Sequence, residues 1–461
     1  MSSSISSRPR LVGATRRAAV IAALSATALA LGACGSGSKG ASATTAASAT
    51  AAMSASAEAH EHHHGSDRFV FAYDGGVKVV NASTLEEVAD FPMSGFLRLN
   101  PFGDNEHVLI TTESGFRVLS TGAGGGEAKL TDLVFPANKG GHVTPHGGWT
   151  GLFADGSGEI TFVKTDALGH DADETVTSLP STEKIASEEA HHGVAVKLSD
   201  GTVIRTLGNS ESRKGALAQD ASGTELTRNE ECPGVHGEGV MKDEAAMLGC
   251  ENGVLLYKGG SFTKIASPDA DYGRVGNSYT TTSSPIAVTD YKDDRDAEGV
   301  NLHRVGLLDS AAGTFSVVNM PAGAEYTWRG IKRDGEDNAW VLGTDGALHK
   351  LDPASGSFVD SIPVIAAWQP PAKWQDAHPA LQISGTTAWV TEPATNSVHK
   401  VDLTNGEKTT KAYSVTPNEV AFAKHTHADG SEHHDEEHEE HHDGQHHDEE
   451  HEHEHTAEAT H

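Results

Sequence analysis

Between Asp67 and Ala423 short apolar runs alternate with polar turns at the two-residue period of β-strands. One unit reads Asn338-Ala339-Trp340-Val341-Leu342, turns at Asp345-Gly346, and resumes as Ala347-Leu348-His349-Lys350-Leu351-Asp352. Another reads Thr387-Ala388-Trp389-Val390-Thr391 and then Asn396-Ser397-Val398-His399-Lys400-Val401-Asp402. Weaker copies pair residues 69–73 with 77–81, 108–112 with 116–120, 149–154 with 159–164, and 194–198 with 202–206. Two more pair 246–250 with 254–258 and 286–291 with 302–309. The hairpin therefore recurs every 45 to 50 residues or so, about the length of one four-stranded propeller blade.

This pattern predicts an all-β fold, a single β-propeller over residues 67–424. Eight blades are expected, with seven as the fallback, because the copies around Trp149 and Arg274 are poorly phased. A lone blade cannot bury both its faces; stacking blades around an axis does. Residues 69–91 supply three strands without an inner one, and 420–423 read as a lone inner strand. The two ends together would close the ring and remove an exposed sheet edge.

Counting back eleven residues from Leu109, Met247, Trp340 and Trp389 reaches Arg98, His236, Arg329 and His378, near the start of each inner strand. These side chains are expected to line the central channel. His142 or His146, and His191 or His192, belong nearby. A one-residue slip reverses a strand's face, so the member of each pair that points inward stays open.

The flanks have a different texture. Residues 1–33 read as a signal peptide: Arg8, Arg10, Arg16 and Arg17 precede an apolar run from Ala18 to Leu31 that is short for a membrane span. Leu31-Gly32-Ala33-Cys34 resembles a bacterial lipobox, which would make Cys34 an acylated N-terminus and membrane anchor. An ordinary secretory peptide is the alternative, and Arg16-Arg17 is a weak twin-arginine hint. Residues 34–66 form a Ser/Ala/Thr/Gly tether carrying His60, His62, His63 and His64. Residues 425–461 hold thirteen His and fourteen acids without a Lys or Arg, a composition that cannot bury a core.

Charge narrows the partners. Asp and Glu number 65 against 34 Lys and Arg, for a net charge of -31. Nucleic acid and an anionic membrane surface both call for a basic face; an acidic chain attracts cations. Two cysteines remain beside Cys34. In an oxidising compartment a Cys232–Cys250 disulfide is the economical pairing, with two metal thiolates as the rival.

The candidate chemistry is metal binding. His142 and His146 stand in Gly140-Gly141-His142-Val143-Thr144-Pro145-His146-Gly147-Gly148, and echoes follow at His191-His192-Gly193, His236-Gly237 and His378-Pro379. Neutral imidazole is the commonest zinc ligand, and glycine admits backbone to a crowded centre. The body histidines could share one buried ion, with Glu188, Glu189 or Glu238 as carboxylate partners. The flanking histidines could bind metal loosely, in competition with protons below about pH 6. Other constellations are poor. Ser199-Asp200-Gly201 reads as a turn, Gly122 to Gly126 lacks the Lys and Ser/Thr of a phosphate loop, and no nucleophile elbow occurs. Trp328, Trp340, Trp368, Trp374 and Trp389 read as blade core.

Pro145-His146-Gly147-Gly148-Trp149, Ala190-His191-His192-Gly193-Val194, Cys232-Pro233-Gly234-Val235-His236-Gly237 with Gly249-Cys250, and Asp376-Ala377-His378-Pro379 together resemble the AztD-type zinc metallochaperones. The resemblance covers roughly residues 67 to 423. It implies an exported propeller that hands zinc to the solute-binding protein of a zinc ABC transporter. It also implies a core zinc site and a His-rich segment near the N-terminus, which His60 to His64 would match. The long acidic tail and the lipobox depart from that family pattern. The expectation is therefore a non-enzymatic zinc carrier, monomeric and lipid-anchored on the outer face of the cell membrane. The alternatives are a metal-dependent propeller hydrolase or lyase, with Glu238 as its base, and a surface scaffold with a metal-buffering tail.

Overall fold

The structure is a computed structural model that describes residues 65–169, 177–269, 272–296 and 300–426. The expected signal peptide over residues 1–33, Cys34, His60, His62, His63, His64 and the residues beyond Thr426 lie outside the described residues. Among the described residues the body is all β, interrupted by three short 3-10 turns.

Eight antiparallel sheets, each built on a path of four strands, follow one another round a ring. The inner strands of blades 1 to 4 are Arg98–Pro101, Gly140–His146, Ala195–Lys197 and His236–Met241. Those of blades 5 to 8 are Ser278–Tyr279, Ile331–Arg333, Leu381–Ser384 and Val420–Ala423. The molecule is an eight-bladed β-propeller. Blade 5 has only two residues in its inner strand, and the neighbouring pair Gly273–Arg274 joins blade 4 in parallel off its main path. These irregularities account for the weak phasing around Arg274.

The second and third strands of a blade are apolar on both faces because each blade lies between two others. In Arg68–Tyr73 the residues Phe69, Val70 and Phe71 are all fully buried, although their side chains alternate sides. A representative interlayer joins Ile204 and Ala216 of blade 3 to Val240, Leu248 and Leu255 of blade 4. Outer strands such as Glu87–Pro92 alternate between exposed and half-buried positions.

The ends close the ring as expected. Val420–Ala423 pairs antiparallel with Arg68–Tyr73, placing Ala421 opposite Val70, so blade 8 takes its inner strand from the C-terminal end. One hairpin differs from its sequence reading. Residues 194–206 contain the inner and second strands of blade 3, Ala195–Lys197 and Val203–Gly208, not the second and third. An Asp200-Gly201 turn has the same local chemistry whichever two strands it joins.

Candidate metal centre

His142 lies in the inner strand of blade 2, and His236 opens the inner strand of blade 4. His192 occupies the segment that leads into blade 3. Three successive blades thus deliver one imidazole each to the mouth of the channel. The Nε2 atoms of His142 and His236 are 3.0 Å apart, those of His192 and His236 3.0 Å, and those of His142 and His192 3.4 Å. Tetrahedral zinc with Zn–N bonds of about 2.0–2.1 Å places its nitrogens about 3.3–3.4 Å from one another. Among the described residues this is the group of His, Cys, Asp or Glu whose ligand atoms converge on one point.

The opposite edge of each ring determines what those nitrogens offer. The Nδ1–H of His192 donates to Asp155 Oδ2 at 2.6 Å, and that of His236 donates to the carbonyl of Gly276. Nδ1 of His142 faces Glu238 Oε1 at 3.6 Å. Carboxylates and carbonyls accept, so Nδ1 of His192 and of His236 carries the proton and their Nε2 atoms present bare lone pairs, while the 3.6 Å separation from Glu238 leaves His142 without a hydrogen bond at Nδ1. The two lone pairs of His192 and His236, 3.0 Å apart, repel unless a proton or a cation lies between them. Burial pushes the His236 imidazole well below its ordinary pKa, reinforced by the neighbouring His142, so His236 stays ready to ligate in acid.

The local backbone explains the glycines around these histidines. Both ligand-bearing inner strands carry a bulge, between Gly140 and Val143 and between His236 and Gly239, which re-aims the side chain. Gly237 has φ +61, and a Cβ there would strike the Gly276 carbonyl that holds His236. A Cβ on Gly141 would collide with the carboxylate of Asp155. Two of the glycines are thus empty space for the groups that orient the ligands.

The open side of the triad faces solvent and cavity. His192 keeps 42 % of its side chain exposed, whereas His142 keeps 11 %. His192 and His236 line a cavity of 410 Å³, and His142 and Glu238 line an adjoining one of 460 Å³ along the channel.

Three other candidate histidines are held elsewhere. His146, at the far end of the same strand as His142, contacts both Glu244 carboxylate oxygens at 3.1 Å. His191 is buried, donates to the Glu189 carbonyl, and meets Thr206 Oγ1 at 2.9 Å. His378 donates to the Asp376 carbonyl and stacks on Trp368, with Nε2 unpartnered among the described residues. Burial, helped by the positive charge of Arg329, lowers its pKa to about 4. Glu188 pairs with Arg228, so it contributes nothing to the triad. Cys232 and Cys250 are disulfide-bonded across 4.9 Å between Cα atoms, which removes them as thiolate ligands.

Sequence reasoning missed Asp155, which reads as a hairpin-turn residue between two strands. It also misread two tryptophans. Trp340 and Trp389 are buried in the blades, but Trp328 and Trp374 line the channel mouth, where Trp374 is 36 % exposed. Tryptophan's apolar body makes the two settings indistinguishable from local sequence.

Fold and site together define an eight-bladed propeller with a cluster of three imidazoles at the mouth of its channel. No protein-family model matches the chain. A zinc chaperone, AztD of Citrobacter koseri, is 22 % identical over 380 residues, covering 78 % of this chain and 87 % of the relative. The structure of apo AztD from Citrobacter koseri superposes with a TM-score of 0.65 at 20 % identity, covering 77 % of this chain and 97 % of that one. A second Citrobacter koseri AztD structure gives 0.63 at 21 % identity, again over 77 % and 97 %. The resemblance to AztD-type zinc chaperones stands, and the two structures share its fold.

Proposed function

We propose that this chain is an extracytoplasmic zinc chaperone. It captures zinc and hands it to the solute-binding protein of a zinc ABC transporter, working as a monomer anchored to the membrane through lipid on Cys34. The observation that carries the reading is the set of three imidazoles whose Nε2 atoms converge on one point, two of them, His192 and His236, held by hydrogen bonds at Nδ1. The three neutral ligands leave a coordination position through which an incoming donor can displace them one at a time. That suits a cargo ion better than a closed four-ligand structural site would. The likeness to AztD, a zinc chaperone by name, supports zinc as the cargo. The histidine-rich flanks would gather the ion outside the ring and lose it first in acid.

A hydrolase or lyase would use the same open position, but needs a base beside the metal-bound water. Glu238 lies instead against Nδ1, the His142 nitrogen turned away from the ion.

The test is metal content by mass spectrometry of a chain trimmed to residues 65–426. About one zinc per chain is expected by the one-ion geometry of the triad, and its loss on His192→Ala or His236→Ala. A trimmed chain that binds no zinc, or binds it equally after both changes, overturns the proposal.

A further inference from the structure

The 410 Å³ cavity that contains His192 and His236 has a second wall, made by Arg98, Trp328 and Trp374. The Arg98 guanidinium lies 5.8 Å from the Trp328 ring centroid and 5.9 Å from that of Trp374. Phe96 packs edge-on against Trp374 at 5.3 Å, and both are exposed at the rim. Indole faces attract a guanidinium but leave its N–H edge without acceptors. Several other arginines of the ring end on carboxylates: Arg304 on Asp269 and Asp293, Arg228 on Glu188, Glu225 and Glu230, Arg329 on Glu419. The Arg98 side chain has no hydrogen-bond or ion-pair acceptor among the described residues, in a chain with nearly two acids for each base.

Arg274 lines the same cavity but pairs with Glu251 at 3.8 Å, and the buried Asp290 carboxylate there accepts from the Gly276 and Asn277 backbone and from the Asn277 amide. The open side of the imidazole triad therefore shares its cavity with an aromatic wall that carries the Arg98 guanidinium. Such a wall disfavours a bare divalent ion and favours an ion capped by an anion.

We propose that this cavity is a carboxylate-binding site, in which Arg98, positioned by Trp328 and Trp374, holds a ligand whose other oxygen donor caps the metal on the His142–His192–His236 triad. A planar carboxylate matches the guanidinium fork, and the indoles fix that fork in place. The capping role rests on the proposed metal binding; carboxylate capture by Arg98 does not. The carboxylate has two available sources, the chain's own acidic tail and an external acid, and both present the same group.

The test uses the full-length chain and succinate, a dicarboxylate that chelates zinc too weakly in water to strip it. Tryptophan fluorescence reads occupancy, because two indoles form the wall. In the metal-free protein succinate is expected to produce a saturable change, weakened about tenfold or more by Arg98→Met, the loss of a charge-assisted pair. With one equivalent of zinc the succinate affinity is expected to rise by about fivefold or more, and zinc affinity must rise by the same factor. A response that Arg98→Met leaves unchanged overturns the site, and equal succinate affinity with and without zinc overturns the capping. If the triad fails to hold zinc, zinc affinity is unaffected by His236→Ala; that outcome sinks the chaperone reading and the capping, while the metal-free titration still decides Arg98. Replacing the tail's Asp and Glu by Asn and Gln separates the sources. Succinate binds more tightly in that variant if the tail competes for the site, and equally if the natural acid is external.

Discussion

At the scale of single residues, the site depends on which ring nitrogen holds the proton. Asp155 commits His192 to the Nδ1–H tautomer and fixes its plane at the most exposed corner of the triad. Groups that orient metal ligands in this way are worth about 10- to 100-fold in affinity. Asp155→Asn is expected to weaken zinc binding by that factor in a chelator competition, with unchanged thermal stability of the metal-free protein. His378 supplies a second residue-level expectation. Its pKa near 4 in the folded protein lies below the about 6.5 of an exposed imidazole. As pH falls through that window the unfolded chain takes up the proton first, so folding stability declines and the loss is complete below about pH 4. The difference is about 3 kcal/mol for this one group. His378→Gln should remove that much of the stability drop between about pH 7 and about pH 4, measured by denaturant unfolding of metal-free protein.

At the scale of elements, each ligand is placed by a local device. Bulges turn His142 and His236 toward the axis, and the disulfide anchors the segment that presents His236. Cys232 precedes the inner strand of blade 4, while Cys250 ends its second strand, a separation of 18 in sequence. Closing a loop of that length contributes about 3 kcal/mol in the chain-entropy account. The double change Cys232→Ser and Cys250→Ser is expected to lower unfolding free energy by about that amount. Zinc affinity should fall with it, because the loop carrying His236 gains freedom. Equal stability with and without a reducing agent would count against this role. At this scale the sequence was legible in its hairpins and less so in their phase. The 149–154 and 159–164 strands match the observed bounds, whereas the 194–206 hairpin is displaced by one strand within its blade. Alternation reports that a residue lies in a strand; it does not report where that strand sits from hub to rim.

At the scale of the whole molecule, closure of the ring holds blades 2, 3 and 4 at the angles that bring their imidazoles together. Val420–Ala423 completes blade 8, and Ala421 is fully buried opposite Val70. Ala421→Asp would insert an unpaired carboxylate into that closure and is expected to cost several kcal/mol. The measurement is limited proteolysis with thermal unfolding. Cleavage should begin near the blade 8 hairpin, and zinc should be lost in the same transition.

The chain by itself determined the repeating unit, the closure of the ring by its two ends, and the concentration of imidazole and acid in the flanks. These are local or periodic properties, carried by residue type and spacing. Tertiary structure alone decided that His142, His192 and His236 share a point while His146, His191 and His378 do not. It also decided that Asp155 stands behind one of them and that Arg98 faces them between two indoles. Those choices depend on strand face, bulges and the angle between blades, and a rotation of one residue along a strand reverses each of them.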